Sequence, residues 1–369
     1  MFRWSDQVDR LPVMSRPSRA DQASISGAVP VPGQEGDRPA GRGNRKTRIV
    51  VAVLVLVLVA VGGLVGLGAY LRSVESDIGR VDVFTAVPEA SRPAKAPEAR
   101  DARNLLILGS DSRDPENTGG SRSDTIILAH IPRGGGSAQL VSIPRDTWVH
   151  VPASEDGRHG DRDAKINAAF AWGGVPLLVQ TVEEFTDVRV DHVMMVDFAG
   201  FKEIVDALGG VEIDVAESFT STHALTPDGR RRFTKGRQTM DGATTLDYAR
   251  ERYAFPDGDF TRIRHQQQVI RAILDKAASG GLLTNPVRLD DFLRATADAV
   301  SVDETLSLVE LAMDLRHLRG GNLTFLTSPS RGTGRIGTES VVLADEAKAR
   351  ALYTAVRRDQ VGEILAAAR

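Results

Sequence analysis

Between Ile49 and Leu71 the chain reads IVVAVLVLVLVAVGGLVGLGAYL, 23 residues without a charge. At about 1.5 Å per residue, a helix of that length crosses a hydrocarbon layer roughly 30 Å thick. The run therefore predicts one transmembrane helix over 49–71, and the rest of the chain divides into what lies before it and after it. A cleaved secretory leader is the competing reading, but its apolar core is about 7–15 residues long and follows a short basic start. Here 48 residues precede the run. Arg38, Arg42, Arg45, Lys46 and Arg48 crowd the near side, whereas Arg72 and Arg80 beyond it are accompanied by Glu75, Asp77 and Asp82. Positive flanks stay on the cytoplasmic side. The expected topology is a single pass through the cell membrane, with the N-terminus cytoplasmic and the residues after the span extracytoplasmic.

Residues 1–48 hold nine Lys plus Arg and five acids among Pro, Gly and Ser, without apolar periodicity, and read as a disordered cytoplasmic tail. Removing that +4 from the net charge of −3 leaves −7 for the remainder, which argues against a general polyanion-binding surface and against a nucleic acid partner. Residues 72–100, ending SRPAKAPEAR, read as a stalk. The chain has no Cys, so disulfides, thiolate metal sites and a cysteine nucleophile are excluded, leaving carboxylates, imidazoles, hydroxyls and guanidinium groups for any chemistry.

From Asn104 onward, short apolar runs alternate with longer amphipathic ones. NLLILG, TIILAHI, QLVSI, HVMMV, VEIDV, LTFLT and VVLA read as strands. Helices are predicted at about 165–185, 198–208, 241–249, 259–279, 304–318 and 345–358, several opened by Asp or Asn in a capping role. The alternation predicts one α/β domain over 101–369, a sandwich of helices on both faces of a central mixed sheet. In open α/β sheets the ligand crevice lies beyond the carboxyl ends of strands, which directs attention to the residues after NLLIL and QLVSI.

Asp111 follows the first of these runs and Asp124 enters the second. Two carboxylates at neighbouring strand ends suit Mg²⁺, which takes one or two protein carboxylates and bridges to phosphate oxygens; a turn residue and a strand-entry cap are the plainer reading. Arg145, in IPRDT, can grip a phosphate bidentately or pair with Asp146 or Asp161 at the surface. Lys165 and Asn167 open a helix, where they can face an anion or only cap. Arg250 and Arg252 point to one side if the backbone there is extended. On the helix after Asp257, Arg262 and Gln266 lie one turn apart at the margin of an apolar face, while Arg264 points about 160° away. An Arg buried at a core margin needs an anion. Asp259 can supply it internally, and a substrate phosphate can supply it from outside.

The motifs NLLILGSDSR, RSDTIILAHI, QLVSIPRDTWVHVP, KINAAFAWGG, DHVMMVDFAGFKEIVDALGGVEIDV, GRQTMDGATTLDYARER and GDFTRIRHQQQVI occur in the order and approximate spacing of the LytR-CpsA-Psr family of envelope glycopolymer ligases, which this chain resembles over essentially its whole ectodomain. The resemblance implies a phosphotransferase that moves a glycopolymer from a polyprenyl diphosphate to peptidoglycan, at the 6-hydroxyl of N-acetylmuramic acid, with release of polyprenyl phosphate. It places metal-binding carboxylates, for Mg²⁺ or Mn²⁺, on Asp111 and Asp124. It places diphosphate contacts on Arg145, Arg250 and Arg262, with Arg113, Arg122, Arg252 and Gln266 nearby and Lys165 and Asn167 in the KIN motif. Phosphoryl transfer needs charge neutralisation more than covalent help from the protein. The motifs do not identify the base; Asp146 and a metal-bound hydroxide are the candidates.

The sequence departs from the family pattern at His265, where the family often has Arg. At about 60° from Arg262 on the helix, that imidazole is expected still to approach the same pocket. Two rival functions are a membrane-anchored sensor of lipid-linked precursors, which would bind prenyl diphosphate without forming product, and a diphosphatase, which would release lipid phosphate without peptidoglycan.

Overall fold

Along Arg103–Ser110 (β2) the apolar side chains alternate between two cores. Leu106 and Leu108 join a cluster with Phe170, Leu178 and Tyr353, while Leu105 and Ile107 join one with Ile270, Leu274 and Ala299. A strand buried on both faces needs a layer of helices on each, and the computed structural model has that architecture. It describes residues 78–110, 123–222, 229–279, 285–308 and 320–363, with single positions at 70, 73, 75, 76, 282, 310 and 311. The tail and the 49–71 run lie outside the described residues, apart from Tyr70; among the described residues no helix is long and apolar enough to cross a membrane.

Seven strands form the central mixed sheet: Gly79–Val81 (β1), β2, Ser123–Ile131 (β3), Ala138–Ser142 (β4), His192–Asp197 (β7), Val300–Asp303 (β12) and Leu323–Thr327 (β13). Their order is β1-β12-β7-β2-β3-β4-β13, with β2 parallel to β7 and antiparallel to β3. Trp148–Val151 (β5) and Arg162–Lys165 (β6) form a separate hairpin. Ile166–Thr186 (α1) and Glu346–Arg357 (α6) cover one face of the sheet. Phe198–Ala207 (α2), Asp259–Ala277 (α4) and Pro286–Ala299 (α5) cover the other. Val211–Val215 (β8) and Gly236–Met240 (β11) pair outside the main sheet, Phe219–Thr220 (β9) pairs with Arg232–Phe233 (β10), and Gly242–Arg250 (α3) follows.

Three expectations need correction. Of the expected 72–100 stalk, residues 78–100 are not a free stalk: β1 extends the sheet beside β12, Val81, Val83 and Val87 are core residues, and Arg92 is bonded to the buried Glu183. The first long helix is two segments, because Gly173 is non-helical and Gly174 has φ 64°, ψ −155°, just before Pro176. VEIDV and VVLA are strands as expected, but of hairpins outside the main sheet: VVLA lies in Glu339–Ala344 (β15), paired with Ser330–Ile336 (β14). The main sheet takes in β1 and β12 instead, strands of only three and four residues.

Two packing details shape the floor beneath the site. Gly200 on α2 meets α5 so closely that a Cβ there would lie 2.3 Å from Ala299, so the absence of a side chain lets the two helices pack together. Asp197 caps α2, accepting from the N–H of Ala199 at 2.7 Å and of Gly200 at 2.8 Å.

Candidate phosphate-binding site

The site is assembled from four short connections. In the β2–β3 pair Gly109 faces Thr125 and Ser110 faces Ser123, so Asp124 is the extra residue of a β-bulge. Such an insertion turns a side chain out of the ladder's alternation. After β4, Pro144 opens a tight turn closed by the Thr147 N–H and hydroxyl on the Pro144 carbonyl, at 3.0 and 2.6 Å. The turn is stitched to α1 by Asn167 N–H on the Arg145 carbonyl (3.2 Å) and Ile166 N–H on the Thr147 carbonyl (2.8 Å). Arg145 and Asp146 are thereby held at the tip.

α3 ends at Arg250, and the chain is extended at Glu251. The fully buried Glu251 carboxylate anchors the exit, accepting from the N–H groups of Arg252 (2.9 Å) and Ala254 (3.0 Å), the Thr222 hydroxyl (3.0 Å) and the Thr222 N–H. Burial raises the pKa of this group, but the hydrogen bonds outweigh burial and hold it below the usual carboxylate range. Because the helix stops there, Arg250 and Arg252 do not share one wall. Arg250 lies over the Phe198 ring at 4.4 Å, in an apolar cavity, and Arg252 faces a polar groove.

Six side chains from these connections alternate in sign along a row. Asp124 bonds Arg145; Arg145 Nε stands 4.0 Å from Asp146. Arg252 Nη1 is 3.7 Å from Asp146 and 3.9 Å from Asp259, which pairs with Arg262 on the first turn of α4. Arg262 is only 4 % exposed. Burial pulls its pKa down and pushes that of Asp259 up, each opposed by the other's charge. Nε of Arg145, Nη1 of Arg252 and Nε of Arg262 are buried and have no hydrogen-bond acceptor among the described residues. Buried polar atoms without partners are costly; both Asp259 carboxylate oxygens are also buried without a hydrogen-bond partner among the described residues, and the three guanidinium groups, each with one such nitrogen, form a cradle suited to a multiply charged anion.

Two cavities flank the row. One, of about 210 Å³, is apolar: Ile107, Ile127 and Val196 from the sheet, Phe201 and Ile204 from α2, Leu246 from α3 and Ile270 and Ile273 from α4 wall it, with Asp124, Thr125, Asp197, Arg250, Arg262 and Gln266 as its polar lining. The other, of about 600 Å³, is lined by Arg145, Asp146, Trp148, Arg162, Lys165, Asn167, Trp172, Arg252 and Glu339.

The expected site residues thus fall into three groups. Asp124, Arg145, Asp146, Arg250, Arg252, Arg262 and Gln266 line the row and its cavities. Lys165 and Asn167 line the polar groove, where Lys165 is paired with Glu339 at 2.7 Å. Asp111, Arg113 and Arg122 lie outside the described residues. Arg264 points away, to Asp257 at 2.8 Å.

His265 does not approach the pocket. Its ring is stacked 4.0 Å from Tyr248 and also packs against Phe219 and Phe255, and burial lowers its pKa to about 4. A side chain about 60° round the helix from Arg262 has here gone into the adjoining aromatic core. As to a metal, Asp124 supplies a hard carboxylate at the cavity lining, a donor that fits Mg²⁺, although Arg145 bonds it here.

The LytR_cpsA_psr family model matches residues 74–358. The chain belongs to the LytR_cpsA_psr family. The start of the matched region agrees with the place of β1 in the sheet. Among its relatives, LcpA of Corynebacterium glutamicum, a cell wall biosynthesis protein, is 32 % identical over 68 % of this chain, and the match spans 55 % of LcpA's own length. TagU of Enterococcus faecalis, a polyisoprenyl-teichoic acid–peptidoglycan teichoic acid transferase, is 30 % identical over 76 % of this chain and 86 % of its own. The solved structure of TagT bound to LIIa-WTA superposes with a TM-score of 0.58 at 25 % identity, covering 77 % of this chain and all of that one.

Sequence reasoning did not assign the walls of the apolar cavity or Glu251. The walls come from every second residue of three strands and from three helices, so they carry no local motif. Glu251 had a signal in the charged run ARER, where an acid between two Arg residues is more than surface decoration when the helix before it ends.

Proposed function

We propose that this LytR_cpsA_psr family member is a phosphotransferase that moves a glycopolymer from a polyprenyl diphosphate carrier to peptidoglycan and releases polyprenyl phosphate. One observation carries the reading: Arg145, Arg252 and the buried Arg262 stand in a row, each with one buried guanidinium nitrogen that has no acceptor among the described residues, between a polar groove lined by the first two and an apolar cavity lined by the third, an arrangement that suits a lipid-linked diphosphate. The relatives' names agree with it, since TagU is a teichoic acid transferase acting on peptidoglycan.

In the reaction the acceptor hydroxyl oxygen, that of the muramic acid 6-position, bonds to the saccharide-bearing phosphorus. The bond from that phosphorus to the bridging oxygen breaks, and the bridging oxygen leaves as part of polyprenyl phosphate. Arg145, Arg250, Arg252 and Arg262 spread the charge, with Gln266 beside them, and Asp146 takes the hydroxyl proton. Arg113 and Arg122 are proposed as further diphosphate contacts. Asp111 and Asp124 would hold Mg²⁺ or Mn²⁺, which would supply neutralisation of phosphate charge. The chain works from a single membrane span, with this domain on the extracytoplasmic side.

The full chain, given a polyprenyl-diphosphate saccharide, Mg²⁺ and peptidoglycan, is expected to release polyprenyl monophosphate and to leave saccharide phosphate on the glycan. Binding without product points instead to a sensor, and release without peptidoglycan to a diphosphatase; either result refutes the assignment.

A further inference from the structure

We propose that the polar groove of about 600 Å³ beside the ionic row is the subsite for the acceptor glycan, an N-acetylhexosamine chain, and that Trp148, Trp172 and the Lys165–Glu339 pair hold it. The inference rests on the proposed function and specifies which of its substrates lies where. In phosphoryl transfer the attacking and leaving oxygens stand roughly in line across phosphorus. The apolar cavity fixes the side of the leaving lipid phosphate, so the incoming hydroxyl arrives from the other side of the row. The two cavities share no lining residue, and the groove is walled by the row's own Arg145, Asp146 and Arg252. A hydroxyl entering from the groove meets Asp146 as it reaches phosphorus.

The lining chemistry is that of a saccharide site. Trp148 and Trp172 are both half-buried along it. An indole surface such as that of Trp148 suits the apolar face of a pyranose ring, while the Trp172 ring, which stacks with His159 at 6.1 Å and lies under Arg162, helps to shape the groove wall. Around them, opposite charges stand paired and still partly exposed: Lys165 is 25 % exposed and Glu339 55 %, while the Arg162 guanidinium lies 4.5 Å over the Trp172 ring. Such side chains offer donors and acceptors together, as a neutral, hydroxyl- and amide-rich chain demands, and a uniformly basic groove would not. Glu339 comes from the β14–β15 hairpin and Lys165 from β6, so a glycan lying there touches both hairpins.

The chain has three tryptophans, Trp4, Trp148 and Trp172, so in Trp4→Phe all indole emission comes from the groove. Full-length Trp4→Phe protein, titrated without donor with a soluble N-acetylglucosamine–N-acetylmuramic acid tetrasaccharide, is expected to show a saturable change in emission that Glu339→Gln weakens. In the transfer assay, Trp172→Leu and the more exposed Arg162→Gln are each expected to raise KM for acceptor about tenfold, with KM for donor unchanged. An unchanged emission, an unmoved acceptor KM in a folded Arg162→Gln protein, or a rise in donor KM instead overturns the assignment. If the unmodified chain performs no transfer, it is the proposed function that fails, whereas transfer with an unmoved acceptor KM fails this subsite alone.

Discussion

Replacing Arg262 by Gln separates two roles that one guanidinium fills. The Arg262 side chain is 4 % exposed and its partner Asp259 8 %, so the substitution leaves a carboxylate in the interior with Arg252, 3.9 Å away, as its nearest remaining counter-charge. Uncompensated buried charges of this kind cost about 3–5 kcal/mol; with Arg252 relieving part of it, a loss of roughly 3 kcal/mol is expected. Burial already holds the Asp259 pKa above its ordinary value, so the folded variant binds a proton more readily than the unfolded chain does. The loss should therefore shrink as pH falls and grow as pH rises.

Asp259→Asn combined with Arg262→Gln removes both charges and should recover stability to within about 1 kcal/mol of the unsubstituted protein. Transfer should not recover. Removing a preorganised donor from a developing charge costs about 10²–10³-fold in rate, and the double variant retains that deficit. Denaturation curves over a range of pH, run beside initial rates of polyprenyl phosphate release, make the comparison. A double variant that is stable and transfers at the normal rate would show that Arg262 only neutralises Asp259, and the phosphate role would be wrong.

Arg92→Leu should destabilise the protein by about 3 kcal/mol, because Glu183, 2 % exposed, loses its bidentate partner; an unchanged melting temperature would return residues 78–100 to the status of a stalk. His265 titrates at about 4 when folded, against an ordinary value of 6.5. Between those values the unfolded chain binds more protons, so stability rises with pH across the window, and moving from pH 7 to pH 5 should cost about 2 kcal/mol through this group. His265→Phe should flatten that slope in a denaturation series, and an unchanged slope would assign the acid sensitivity to other groups.

What the sequence disclosed followed from the range of the forces involved. Strands buried on both faces announce themselves by near-continuous apolar runs, so β2, β3 and β4 were legible, and β7 and β13, only partly buried, still carry three or four apolar residues each. β1 and β12 are three and four residues long; β12 pairs along the edge of β7, and β1 in turn pairs along β12. Helix periodicity placed Arg262 and Gln266 on the side that meets the apolar cavity and turned Arg264 away from it. The same periodicity misplaced His265, because it gives a direction and not the neighbour waiting there, and the aromatic cluster of Phe219, Tyr248 and Phe255 comes from distant segments. The direction of Arg252 depended on where α3 stops, which the buried Glu251 decides. The bulge that singles out Asp124 belongs to strand pairing, which no single-strand pattern records.

The central claim is that the ionic row holds a diphosphate with lipid on one side and sugar on the other. A crystal structure of the protein with a short-chain prenyl-diphosphate saccharide tests it most directly. The account predicts phosphate oxygens within hydrogen-bonding distance of Arg145 and Arg262, and the prenyl chain between Ile107, Phe201 and Ile270. A diphosphate bound away from the row, or a prenyl chain lying in the groove beside Trp148 and Trp172, would contradict it.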